Sequence, residues 1–147
     1  MSIKELLQQY ETAEVLVRQL KTEYEKELEQ IDALRSPLSG DGQPGSKTVS
    51  KSVERQALKL AEKAEELKQA EADAIAWRQY IFSLVHSVPD VRGAILYERY
   101  VNLRKWDDVA DAVGYSRSRV HELHNEAIDF LEKNKSPDTI GHSTVLL

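Results

Sequence analysis

The sequence predicts an all-α protein: a long N-terminal helical hairpin or coiled coil, then a small helix-turn-helix domain. Three observations carry that prediction. Segments 1–35 and 51–86 repeat apolar residues at alternating steps of three and four. A Pro- and Gly-rich stretch, 36–50, separates them. Farther on, "VADAVGYSRSRVHELHNEAIDFL" (109–131) has the form of two helices around a central glycine.

The first helix, 1–35, carries Ile3, Leu6, Tyr10, Ala13, Val17, Leu20, Tyr24, Ile31 and Leu34 on one stripe. Glu27 interrupts the series, with Leu28 beside it, and no Gly or Pro breaks the segment. Such a heptad stripe winds helices around one another in a left-handed seam. The stretch 36–50, "SPLSGDGQPGSKTVS", holds two of the four prolines and three of the six glycines. It reads as a mobile linker with little to bury. Its "GDGQPGSKT" imitates a phosphate-binding loop, but Ser46 separates the glycine from Lys47 and a helix, not a strand, precedes it. No nucleotide site is expected there.

In the second helix, 51–86, Val53, Ala57, Leu60, Ala64 and Leu67 keep heptad steps. The phase then slips, and Ala70, Ala74, Trp77, Ile81 and Leu84 continue the stripe. A slip of that kind alters the local winding of a coiled coil. The two long helices are expected to form an antiparallel hairpin across the linker. A seam between chains, giving a homodimer or higher oligomer, is expected as well, because a thin two-helix layer is poorly stabilised alone.

A DNA-binding domain is expected over 87–133. Pro89 suits the first turn of its opening helix, where no amide hydrogen is needed. Asp90 suits the positive helix end, and Ile95, Leu96, Tyr100 and Val101 supply an apolar face. A helix-turn-helix then makes steric demands, counted from Trp106 as its first position. Val109 and Val113 are apolar and face the core. Ala110 is small where the second helix crosses closely, and Gly114 suits a turn with positive φ. Tyr115 covers the turn, while Val120 and Leu123 point back to the core. Ser116 is a natural N-cap, leaving Arg117, Ser118, His121 and Glu122 to look outward at the start of the second helix. Those positions reach base edges when such a helix enters the major groove. Residues 134–147 read as a frayed tail whose apolar "TVLL" suits a partner contact.

Beyond the motif, "LVHSVPDVRGAILYERYV" followed by "WDDVADAVGYSRSRVHELHNEAIDFL" resembles region 4 of bacterial sigma factors, which binds an upstream promoter element. The run Ser116, Arg117, Ser118, Arg119, Val120 is especially similar. Trp106 stands where that family usually has Thr or Leu-Thr, and Ser118 where it usually has glutamate. With a helical front end the whole resembles the ArpU/RinA-like regulators of bacteriophages and prophages, regarded as activators of late genes. The resemblance implies a transcriptional regulator of double-stranded DNA, with RNA polymerase as a possible further partner. It implies base contacts from Arg117, Ser118 and Glu122, with His121 at base or backbone. Arg117 would fork onto guanine and Glu122 accept from a cytosine amine. Arg104, Lys105 and Arg119 are better placed for phosphates, which fix register. Two other readings remain open: a phage small terminase subunit, and a sigma-like adaptor that binds protein instead of DNA.

The 147 residues carry a formal charge of -5, which argues mildly against indiscriminate nucleic-acid binding. Between Arg99 and His121, however, five basic residues outnumber three acidic ones. A single copy making roughly three phosphate contacts would bind weakly, and two linked copies would gain from effective concentration. Other chemistry finds little support. There is no cysteine, so disulfides and thiolate metal sites are out. "HELH" spaces His121 and His124 one residue closer than the zinc-protease pattern and lacks a third ligand. Asp107, Asp108 and Asp111 suit a helix dipole better than a cation. No nucleophile constellation is present, so no enzyme, cofactor or metal is expected. No apolar run suits a membrane span or a signal core, and the bacterial cytoplasm is the expected location.

Overall fold

The computed structural model describes residues 1–34 and 47–134, all of whose regular elements are helical. In order they are α1 (Ile3–Leu7), α2 (Gln9–Leu34), α3 (Lys47–His86), α4 (Asp90–Leu96), a π-helical turn (Tyr97–Val101), α5 (Trp106–Val113) and α6 (Arg117–Asn134). The expected linker lies largely outside the described residues, and α3 begins at Lys47, inside its expected span. The expected tail also lies outside them beyond Asn134. Among the described residues no helix is long and apolar enough to cross a membrane.

The chain divides into two compact units, and they do not follow the boundaries at 35, 50 and 86. One comprises Met1–Thr12 with the chain from Ala76 onward; the other is Ala13–Ile75. The first turns of the protein therefore belong with its last helices. Ile3 and Leu7 are buried in a core with Ile81, Val85, Leu96, Ala127 and Leu131. The Ile3 amide donates to Glu132 Oε1 at 3.3 Å, so a carboxylate on α6 satisfies an open donor at the start of α1. Ser2 adds the local cap, accepting from the Glu5 amide at 3.2 Å.

In the unit 13–75 the stripe on α2 behaves as its spacing predicts: Ala13, Val17, Leu20 and Tyr24 are half-buried and Ile31 is buried. The stripe on α3 does not. Ala57 and Ala64 are exposed, while Gln56 and Lys63 are half-buried. The covered series is Val53, Gln56, Leu60, Lys63, Leu67, Ala70 and Ala74, with unbroken steps of three and four. There is no phase slip. The helix keeps one face inward by accepting two polar residues on it, and the long stem of Lys63 can cover apolar surface while its ammonium reaches water.

The other unit holds the tighter packing. Residues 87–89 connect α3 to α4, and Pro89 lies just before α4 in extended conformation, one residue earlier than expected. Asp90 takes φ +58° and accepts from the Arg92 amide at 3.0 Å, a turn for which aspartate is suited. Gly93 is dictated by proximity: a Cβ there would fall on the Val88 carbonyl oxygen. After α4 the backbone widens, and the Asn102 amide donates to the Tyr97 carbonyl at 3.0 Å.

Candidate nucleic-acid interface

α5 and α6 rest on a second core of Ile95, Val109, Ala110, Val120 and Leu123, flanked by Val91, Trp106 and Val113. Ile95, Val109 and Val120 are wholly buried. α5 is amphipathic, with Asp107 and Asp108 in its first turn at the positive helix end. Gly114 closes it at φ +77°, and nothing else crowds that position, so backbone conformation alone selects glycine. Ser116 opens α6: its Oγ accepts from the Arg119 amide at 3.2 Å and its carbonyl from the Val120 amide at 2.9 Å. Residues 114–116 alone connect the two helices. Tyr115, in the middle of this turn, is 45 % exposed.

The amino end of α6 stands in solvent. Arg117, Ser118, Arg119 and Glu122 are exposed. Arg117, at 62 % side-chain exposure, reaches back to Asp107 at 3.2 Å, which joins the amino ends of α5 and α6. Arg119 lies 2.9 Å from Glu122 and 3.8 Å from Glu126. Arg117 and Arg119, two of the three arginines expected to contact DNA, are thus balanced by carboxylates of the same chain. Glu122, expected at a cytosine amine, holds Arg119 instead. Such exposed pairs contribute about 1 kcal/mol or less, so a phosphate or base can displace them.

The remaining expected residues fare unequally. Ser116 Oγ accepts the capping hydrogen bond from the Arg119 amide. Lys105 is exposed at the start of α5. Arg104 Nε lies 2.8 Å from Glu98 Oε2, an oxygen that is buried and accepts no well-aligned hydrogen bond, so this contact is ionic. Leu103, before it, sits at φ +56°, a left-handed conformation that costs a bulky residue roughly 1–2 kcal/mol. His121 is half-buried, its ring 4.7 Å from that of Trp106.

His124 is the main residue missed by reading the sequence. It is 5 % exposed, not outward-facing, and its Nε2 lies 2.7 Å from the Tyr100 hydroxyl. The Trp106 ring meets it edge-on at 4.9 Å. Burial, then the charge of Lys4, holds the His124 imidazole down to about 4. The uncharged ring and the phenol therefore form a neutral hydrogen bond, and burial lifts the Tyr100 hydroxyl to about 12. Arg99 completes the group, its guanidinium 5.0 Å from the Trp106 ring centre while it donates to the Arg104 carbonyl at 2.8 Å. A signal for His124 existed: it falls on the face of Val120, Leu123, Ala127 and Leu131, all buried. In the "HELH" run His121 is half-buried and His124 Nε2 is engaged by the Tyr100 hydroxyl. Among the described residues no group of three or more potential metal ligands occurs.

No family model, curated protein or solved structure matches this chain. The functional reading therefore rests on the residues themselves.

Proposed function

We propose that the protein is a sequence-specific regulator of transcription that places the amino end of α6 in the major groove of double-stranded DNA. One observation carries the reading: a short Gly114–Ser116 turn, fixed by a left-handed glycine and a serine cap, presents Arg117 and Ser118 to solvent on a helix anchored by Val120 and Leu123. Arg117 reads a guanine edge, and Arg119 and Lys105 meet phosphates. Arg117 and Arg119 each exchange a weak contact within the chain for one to DNA. RNA polymerase is a natural second partner for a domain that resembles a sigma region, and activation of phage late genes is the role that resemblance favours.

Selection from random duplexes, followed by gel shift on the enriched site, tests the proposal. Arg117→Ala should weaken specific binding by about 1–3 kcal/mol and leave the helical circular dichroism unchanged. Failure to enrich any sequence would rule the reading out. The near-neutral balance of Arg117 and Arg119 with Asp107, Glu122 and Glu126 favours one competitor, an adaptor that docks on protein. Retained polymerase binding with no DNA enrichment would select it.

A further inference from the structure

We infer that the outer face of α3, from Leu58 to Ile75, is where a second copy of this chain docks in antiparallel orientation. Six exposed residues form that face: Leu58, Ala61, Glu65, Lys68, Ala72 and Ile75. Their steps of three and four set them on one side of the helix, away from the covered series of Val53 to Ala74. Leu58 and Ile75, at 66 % and 58 %, are the most exposed leucine, isoleucine or valine side chains among the described residues.

The order of residue types identifies the occupant. Read forward, the face runs large aliphatic, alanine, acid, base, alanine, large aliphatic. Read backward it is the same, except that acid and base exchange. A two-fold axis between Glu65 and Lys68 therefore sets Leu58 against Ile75 of the second copy and Ala61 against its Ala72. Glu65 then meets Lys68, and each contact occurs twice, as an isologous interface requires. A parallel pairing would instead set Glu65 against Glu65 and Lys68 against Lys68. The alanines let the backbones approach closely, and antiparallel helix dipoles attract. The face is about 26 Å long at 1.5 Å per residue, enough for a side-by-side contact along nearly five turns. Neither Glu65 nor Lys68 has an ion pair within the described residues, so both charges are free for the partner.

The chain has no cysteine, which makes the test direct. Full-length Leu58→Cys and Ile75→Cys variants are oxidised mildly, each alone and then mixed. The mixture should form disulfide-linked dimers about tenfold faster than either variant alone. Rapid self-linking of each variant alone would mean parallel pairing and would overturn the proposal. So would a monomer in sedimentation equilibrium at roughly 100 µM. Glu65→Lys should weaken self-association about tenfold, because both symmetric contacts become repulsive. Adding Lys68→Glu should restore it; no restoration would also overturn the proposal. All these positions are exposed, so circular dichroism should not change, and the outcome is independent of whether α6 reads DNA.

Discussion

Beneath α5 and α6, Ile95, Val109 and Val120 are sealed from solvent, whereas from Ala13 to Ile75 the buried residues among those described are Ile31, Ala70 and Ala74. Both regions are built of helices and differ in what those helices bury. A sealed Ile or Val contributes roughly 1.5–3 kcal/mol, and an alanine far less. The first region can therefore hold a short helix end in one fixed position. The second relies on length, local helix propensity and half-covered side chains, and it leaves large aliphatics in water. The contrast separates a closely packed platform from a thinly buried layer.

The sharpest test of that contrast is a pair of truncations. Ile95→Ala should cost about 2–5 kcal/mol in urea unfolding, and Leu60→Ala about 1 kcal/mol, because a half-covered side chain leaves no closed cavity. Equal losses would break the comparison. Next in size, Gly93→Ala should cost about 1–3 kcal/mol by forcing α4 away from Val88, with near-UV circular dichroism of the aromatic cluster altered.

A third test uses pH. The His124 imidazole has a lower pKa folded than unfolded, so the unfolded chain binds more protons between the two values. Its contribution to stability is complete above about 6.5 and is lost as pH falls toward about 4. Urea midpoints from pH 7 to 4.5 should drop more steeply for the native sequence than for His124→Gln. Parallel slopes would show that the ring is not held neutral by burial. Tyr100→Phe, which leaves His124 Nε2 without its partner, should cost about 1–3 kcal/mol at pH 7. The smallest effect belongs to the exposed ion pair of α6. Asp107→Asn should change stability by less than about 0.5 kcal/mol, yet raise DNA affinity several-fold by freeing Arg117. A weaker complex would mean that Asp107 positions Arg117 for DNA and does not compete for it.

The residues alone determined what is local. Helices follow from period, the α5–α6 turn from Gly114 and Ser116, and the apolar faces of Val109, Ala110, Val120 and Leu123 from spacing. Capping and periodicity act within a turn or two of chain, so neighbours in sequence suffice to read them. The exposure of Arg117, Ser118 and Glu122 was legible for the same reason, as the other side of a face already assigned, whereas His121, expected outward with them, is half-buried beside Trp106. Tertiary structure decided the rest. Alanine is apolar but too small to compel burial, so Ala57 and Ala64 could not reveal that Gln56 and Lys63 would hold the inward face. His124 became a core residue because Tyr100 and Trp106 arrive from elsewhere in the chain. Ile3 meets Glu132 across nearly the whole sequence, and Arg117 finds Asp107 across the turn. Contacts between residues far apart in the chain depend on how helices assemble, and no local pattern encodes them.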